Sequence, residues 1–241
     1  MQRRRARAYD QIGMFRASWP WVFLLLFAAT AHAGTVTGKL ELPPAPPRPP
    51  LVVKGFLDRV ENALAPVKSV AVAQQMVVVL EGEDKPVAPP QVVIDLLGET
   101  FSKKVVAAPA GASVVIKNVS KTSRTLVAAE DPKLVPQGPI NPTGPKSFTV
   151  TDVGKIYTIG DKDAPHLKLK IVVVNTQYVA YPDDNGKFEI DGVPAGAYKV
   201  KVWYQDGWLV REDESINVSA KGKTDVNPKI PAAAFAPPAK K

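Results

Sequence analysis

An all-β protein made of two β-sandwich units is the fold class this sequence predicts, and three observations predict it. Apolar and polar residues alternate with period two in several short runs bounded by Gly, Pro, Asn and Asp. Three Val-rich runs, at 77–80, 113–116 and 171–174, do not alternate and fit strands covered on both faces. The best helix candidate, Leu57 to Leu64, is short and flanked by Pro. Many short strands with such turns favour antiparallel sandwiches. The 241 residues include no cysteine, so disulfides, thiolate metal sites and a lipid-modified cysteine are all excluded. Stability must come from one or two apolar cores, which a chain of this length can bury.

In chain order, Arg3, Arg4, Arg5, Arg7 and Arg16 precede an apolar run, Trp21 to Ala29, followed by Ala31-His32-Ala33. A basic segment, a short apolar core and A-x-A read as a secretory signal peptide over residues 1–33. The apolar core is shorter than the about 20 residues of a membrane span, so no span is expected after cleavage. Met14 to Ala33 alone already makes a complete signal. Export to the periplasm or beyond is the expected localisation.

Residues 34–89 hold an N-terminal strand, a Pro-rich linker at Leu42 to Pro50, and the first Val-rich run. Residues 131–146 are dense in Pro, Gly and Asn and read as a surface loop. Leu167, Leu169, Ile171 and Val173 alternate with His166, Lys168 and Lys170. Phe188 and Ile190 alternate with Lys187 and Glu189. Tyr198, Val200, Val202 and Tyr204 alternate with Lys199, Lys201 and Trp203. Residues 231–241 are an Ala/Pro/Lys tail expected to be disordered. No internal repeat is visible.

The sharpest motif runs from Asp183 to Tyr198. Asn185-Gly186 supplies the positive φ angles of a tight turn, and Asp183 and Asp184 shape it. Phe188 and Ile190 point into a core, Val193-Pro194-Ala195-Gly196 turns the chain, and Tyr198, Val200 and Val202 continue the buried face. This motif resembles the carboxypeptidase regulatory-like family, a transthyretin-like sandwich, over residues 176–230. Gly34 to Leu40 resembles that family's first strand. The resemblance implies an accessory module without catalytic residues.

Between these segments, Phe101, the Gly111 to Asn118 run, Gly154 to Tyr157 and Val172 to Ala180 resemble the cupredoxin-like part of exported methylamine-utilisation or plastocyanin-like proteins. The resemblance assigns residues 90–175 to a cupredoxin-like Greek-key unit inserted in the regulatory-like one. That family binds copper through a His after the Asn-ended strand, then Cys-x-x-His-x-x-Met. Blue-copper chemistry needs thiolate, two imidazoles and a thioether together. Here the first ligand position falls at Arg124. The remaining three fall at Gly160, Asp163 and His166, or at Asp163, His166 and Leu169. Neither register holds a Cys or two imidazoles. The expectation is a cupredoxin-like scaffold without copper and without another cofactor.

Other chemistry is scarce. After residue 33 the chain keeps one His, His166, which reads as a solvent-facing residue in phase with Lys168 and Lys170. With Asp161 or Asp163 it could hold a metal ion weakly, which is one alternative function. Paired carboxylates at Glu81/Glu83/Asp84, Asp183/Asp184 and Glu212/Asp213/Glu214 read as solvated turns rather than a glycosidase pair. The whole-chain charge is +8; removing the five Arg and one Asp before Gly34 leaves 26 basic and 22 acidic residues, net +4. Lysines alternate with apolar residues instead of clustering, so nucleic acid is not an expected partner. Trp203, Tyr204 and Trp208 form the densest aromatic group and are the candidate binding surface, for a saccharide such as peptidoglycan or for an envelope protein. Trp203 shares a face with Lys199 and Lys201 and is expected to be partly exposed. A non-catalytic structural or binding role in the cell envelope follows.

Overall fold

The computed structural model describes residues 33–42, 72–83, 89–209, 214–220 and 222–230. The signal segment before Ala33, most of the Pro-rich linker, the Leu57 to Leu64 helix candidate and the C-terminal tail lie outside the described residues. Fifteen strands and one 3-10 turn are present among those described. They are β1 (Ala33–Lys39), a 3-10 turn (Ala73–Gln75), β2 (Met76–Glu81), β3 (Val92–Leu96), β4 (Val105–Pro109), β5 (Ser113–Asn118) and β6 (Leu126–Ala128). There follow β7 (Pro145–Thr149), β8 (Ile156–Asp161), β9 (Lys168–Val174), β10 (Val179–Ala180) and β11 (Lys187–Pro194). The last four are β12 (Gly196–Tyr204), β13 (Gly207–Trp208), β14 (Glu214–Val218) and β15 (Lys223–Val226). The all-β class is as the alternation implies. Residues 131–144 form turns and bends, the surface loop expected there.

Four sheets result, ordered β11-β1-β15, β10-β2-β12-β13 with β14 also on β12, β3-β5-β7, and β4-β9-β8-β6. The first two enclose a core that includes Val36, Phe188 and Ile190 from one sheet and Val78, Leu80, Tyr198, Val200 and Val202 from the other. The last two enclose a second core, with Ile94, Val114, Ile116 and Phe148 facing Val106, Ile159, Leu169, Ile171 and Val173. Strands β3–β9 lie in the chain between β2 and β10, so the second sandwich interrupts the first.

A third apolar cluster joins the two sandwiches. It contains Val77, Val79 and Trp203 from one sheet and Val105, Ala107, Val172 and Val174 from the other. Two of the three non-alternating Val runs, those in β2 and β9, have their cause here, while the run at 113–116 sends only Val114 and Ile116 into the second core. In β2, Val78 and Leu80 face one core while Val77 and Val79 face the junction; in β9, Ile171 and Val173 face one core while Val172 and Val174 face the junction. Period two persists, but both faces are apolar because both are covered. Tyr181 bridges the same region: its hydroxyl accepts the Ala107 N–H at 3.3 Å, and burial pushes its phenol up to about 12.

Two expectations are corrected. Strands are not all antiparallel: β1 with β15, β3 with β5 and β4 with β9 pair in parallel. Long connections return the chain to the same end of a sheet, which a hairpin cannot do. At Asn185-Gly186 only Gly186 has a positive φ, at 80°. The Asp183 carboxylate accepts the N–H groups of Asn185 and Lys187, while Gly186 N–H reaches Asp183 O. These bonds, first that to Lys187, hold the Asp183 carboxyl below its usual range. Gly186 is also required sterically, because a Cβ there would sit 2.3 Å from Leu40 O.

Candidate functional site

The aromatic group is built by the β12–β13 hairpin, where Trp203 pairs across from Trp208. Their rings meet edge to face, with centroids 5.3 Å apart. Trp203 is 1% exposed, its ring lies in the junction cluster, and its indole N–H donates to Gln205 O at 3.3 Å. The expectation of partial exposure for Trp203 is therefore wrong. Its face was assigned correctly, since Lys199, Lys201 and Trp203 do share the outer side of their sheet. That side changes its covering along the strand: the Lys end meets solvent, and the Trp end meets the other sandwich. Trp208 and Tyr204 are half-buried, Tyr204 against the first core. The three rings do not form an open platform.

The positions that the resemblance aligned with copper ligands lie at one end of the inserted sandwich. Arg124, in the connection before β6, exchanges backbone hydrogen bonds with Ile140. Its guanidinium donates to Glu99 Oε1 at 2.5 Å, and its Nε lies 3.9 Å from Asp161 Oδ2. His166 Nε2 meets the other Glu99 oxygen, Oε2, at 2.8 Å. Glu99, in the β3–β4 turn, thus joins Arg124 and His166. The Asp161 side chain ends β8 fully buried, whereas Glu99 and His166 are exposed. Arg124 Nε and Asp161 Oδ2 have no hydrogen-bond partner among the described residues and answer each other through charge.

The remaining aligned positions do not join this group. Asp163 is exposed and donates its backbone N–H to Asp161 Oδ1 at 2.7 Å, which holds the inner carboxylate in place. Gly160 is a β8 strand residue paired with Lys168 and Val127. Leu169 is 0% exposed within the second core. The His166 ring meets Glu99 rather than Asp161 or Asp163, and Asp161 Oδ2 faces Arg124 Nε at 3.9 Å. No group of three or more metal-ligating side chains occurs among the described residues. No helix there is long and apolar enough to cross a membrane.

Asn118, at the end of β5, secures the loop that carries Arg124. It is 0% exposed; its amide donates to Thr122 O at 2.8 Å and Ile140 O at 3.0 Å. Its oxygen accepts from Ser120 N at 3.0 Å and Ser120 Oγ at 2.6 Å. All four hydrogen-bonding positions of the amide are used. Sequence reasoning missed Glu99, which lies 25 residues from Arg124 and 67 from His166 and carries no local signal.

The hydrogen bond with His166, then that with Arg124, holds the Glu99 carboxyl below its ordinary range. A depressed acid stabilises the fold above its unfolded value, about 4.3. The contribution disappears as pH falls through the lower folded value. Glu99→Gln is therefore expected to flatten part of the acid limb of melting temperature against pH below about pH 4. Wild type and variant with superimposable acid limbs would show that this bond network is not formed in solution.

The model of the family described as polysaccharide lyase family 4, domain II, matches residues 143–226, which run from the end of the surface loop through β15. The match covers well under half of the chain and takes in parts of both sandwiches. No curated protein matches. Among solved structures, the chain is similar to an oxidised methionine-to-leucine mutant of amicyanin (15% identity, 40% of this chain, 97% of that chain, TM-score 0.31). A reduced tryptophan-to-tyrosine mutant of amicyanin matches at 16% identity, 40% and 97% coverage and TM-score 0.32. Amicyanin from Paracoccus versutus matches at 14% identity, 40% and 96% coverage and TM-score 0.31.

Proposed function

We propose that this chain is an exported, non-catalytic binding or scaffold protein of the cell envelope. In this reading a cupredoxin-like unit without copper is inserted in a carboxypeptidase regulatory-like unit. One observation carries the proposal: at the end of the inserted sandwich where the resemblance places a first imidazole ligand stands the Arg124 guanidinium, tied to Glu99 and backed by buried Asp161. A fixed cation at that point repels a metal ion and uses the carboxylates that could have bound one. The pole is tied together by charge pairs within the chain. The partner in this reading is another envelope protein or a polysaccharide; burial of Trp203 leaves the open aromatic face unsupported as the contact.

The test is copper, zinc and calcium titration of the exported chain, with N-terminal sequencing and metal analysis of protein purified without chelators. A specific ligand at 100 times its Kd stabilises by about 2.7 kcal/mol, which a melting curve resolves readily. The expected result is a mature terminus at Gly34, no stoichiometric metal and an unchanged melting temperature. Stoichiometric copper, or a saturable copper-induced rise in melting temperature, would overturn the reading.

A further inference from the structure

A cleft of about 240 Å³ opens where the junction between the two sandwiches reaches solvent. Its walls include Lys104, Lys168 and Lys170 from the inserted sandwich and Gln75, Gln205 and Asp206 from the other. Lys168 and Lys170 share one face of β9 because they are two residues apart, and Lys104 O accepts the Lys170 N–H at 2.9 Å. The same face turns apolar at Val172, where the second sheet covers it. The lysines therefore stand at the mouth of the junction, beside a low-dielectric wall.

Charge in the cleft is unbalanced. Lys170 pairs with Asp206, and its ammonium also reaches Gln205 O at 3.4 Å. No acidic partner meets Lys104 or Lys168 among the described residues. Three ammonium groups thus share the lining with one carboxylate, Asp206, and Glu130 acts on Lys170 from outside that lining. Burial, and second the charge of Lys168, push the Lys170 ammonium below its usual range, with Glu130 opposing. Gln205 holds a left-handed backbone, φ 49°, at the hairpin tip, a conformation costly for a residue other than Gly. That geometry points the Gln205 carbonyl at both Lys170 and the Trp203 indole.

We propose that this inter-sandwich cleft binds one oxyanion, a phosphate or the carboxylate of an acidic sugar, between Lys104, Lys168 and Lys170. Ammonium groups act as mobile point charges and suit oxyanions of several shapes. The volume lies below that of pockets for drug-sized ligands, so it fits a single small anion or one acidic group of a longer chain. Gln75 adds a polar amide to the lining, while the Gln205 side-chain amide donates to the Tyr204 hydroxyl at 2.9 Å. This site is separate from the Arg124 pole and depends neither on export nor on metal content.

Trp203 reports on the cleft through the shared Gln205 carbonyl. The experiment titrates the exported chain with inorganic phosphate, and separately with glucuronate, at ionic strength held constant with sodium chloride, reading tryptophan fluorescence and melting temperature. Glucose is the uncharged control. Phosphate or glucuronate is expected to produce a saturable change that chloride and glucose do not; which of the two acts identifies the source of the oxyanion. The double variant Lys104→Gln/Lys168→Gln changes two exposed side chains and is expected to raise the apparent Kd at least tenfold with its own melting temperature retained. Lys117→Gln, exposed on the far sheet, is expected to leave it unchanged. A response that follows ionic strength alone, or one that survives in the double variant, overturns the proposal.

Discussion

Trp203→Ala is expected to destabilise the protein by about 3–5 kcal/mol, the range for emptying a large aromatic from a packed interior. For a domain of this size that corresponds to a fall in melting temperature of roughly 6–20 °C. The ring lies fully buried among Val77, Val79, Val105, Ala107, Val172 and Val174, so the cavity opens between the sandwiches. The edge-to-face contact with Trp208 and the N–H bond to Gln205 O are lost at the same time. Coupling between the two cores should weaken as well, and a single denaturation transition should broaden or split in calorimetry. Trp208→Ala, at a half-buried position, should cost less. If Trp203→Ala lies within about 1 kcal/mol of wild type, well below the range for emptying a large aromatic site, the junction is not packed as described.

Arg124→Met is expected to cost about 3 kcal/mol, the lower end for removing one partner of a buried charge pair. The cost arises at Asp161, whose side chain is fully buried and faces no other cation among the described residues. The bond to Glu99 contributes little to it, because Glu99 is exposed and solvent screens that pair. A second substitution separates the two effects. Asp161→Asn removes the charge while its oxygen still accepts the Asp163 N–H, so the double variant Arg124→Met/Asp161→Asn should recover most of the loss. Urea midpoints of the three variants measure this. A double variant no more stable than Arg124→Met alone would mean that Arg124 acts through packing and not through the buried charge.

Much of the fold was legible because strands announce themselves locally. Phe188, Ile190, Tyr198, Val200 and Val202 alternate with polar neighbours, and each is buried in the first core. The Val runs in β2 and β9 were correctly read as doubly covered, since an uncovered apolar face is costly in water. Parallel pairing was not legible, because β1 and β15 carry no mark of which distant strand will lie beside them. The charge cluster was half legible. Arg124, Asp161 and His166 were singled out one by one, but Glu99, which joins two of them, is contributed by a turn remote in sequence.

The sequence by itself determined the β class, the absence of disulfide and thiolate chemistry, and the face on which each strand residue sits. Local alternation and composition suffice for those, because side chains point to opposite sides of a strand in strict turn. Only the tertiary structure decided what each face meets. Lys199, Lys201 and Trp203 share a side, yet one sheet end is wet and the other is buried under the inserted sandwich. Packing of one sheet on another is settled by contacts across the whole chain, and no periodicity within β12 encodes where that cover begins.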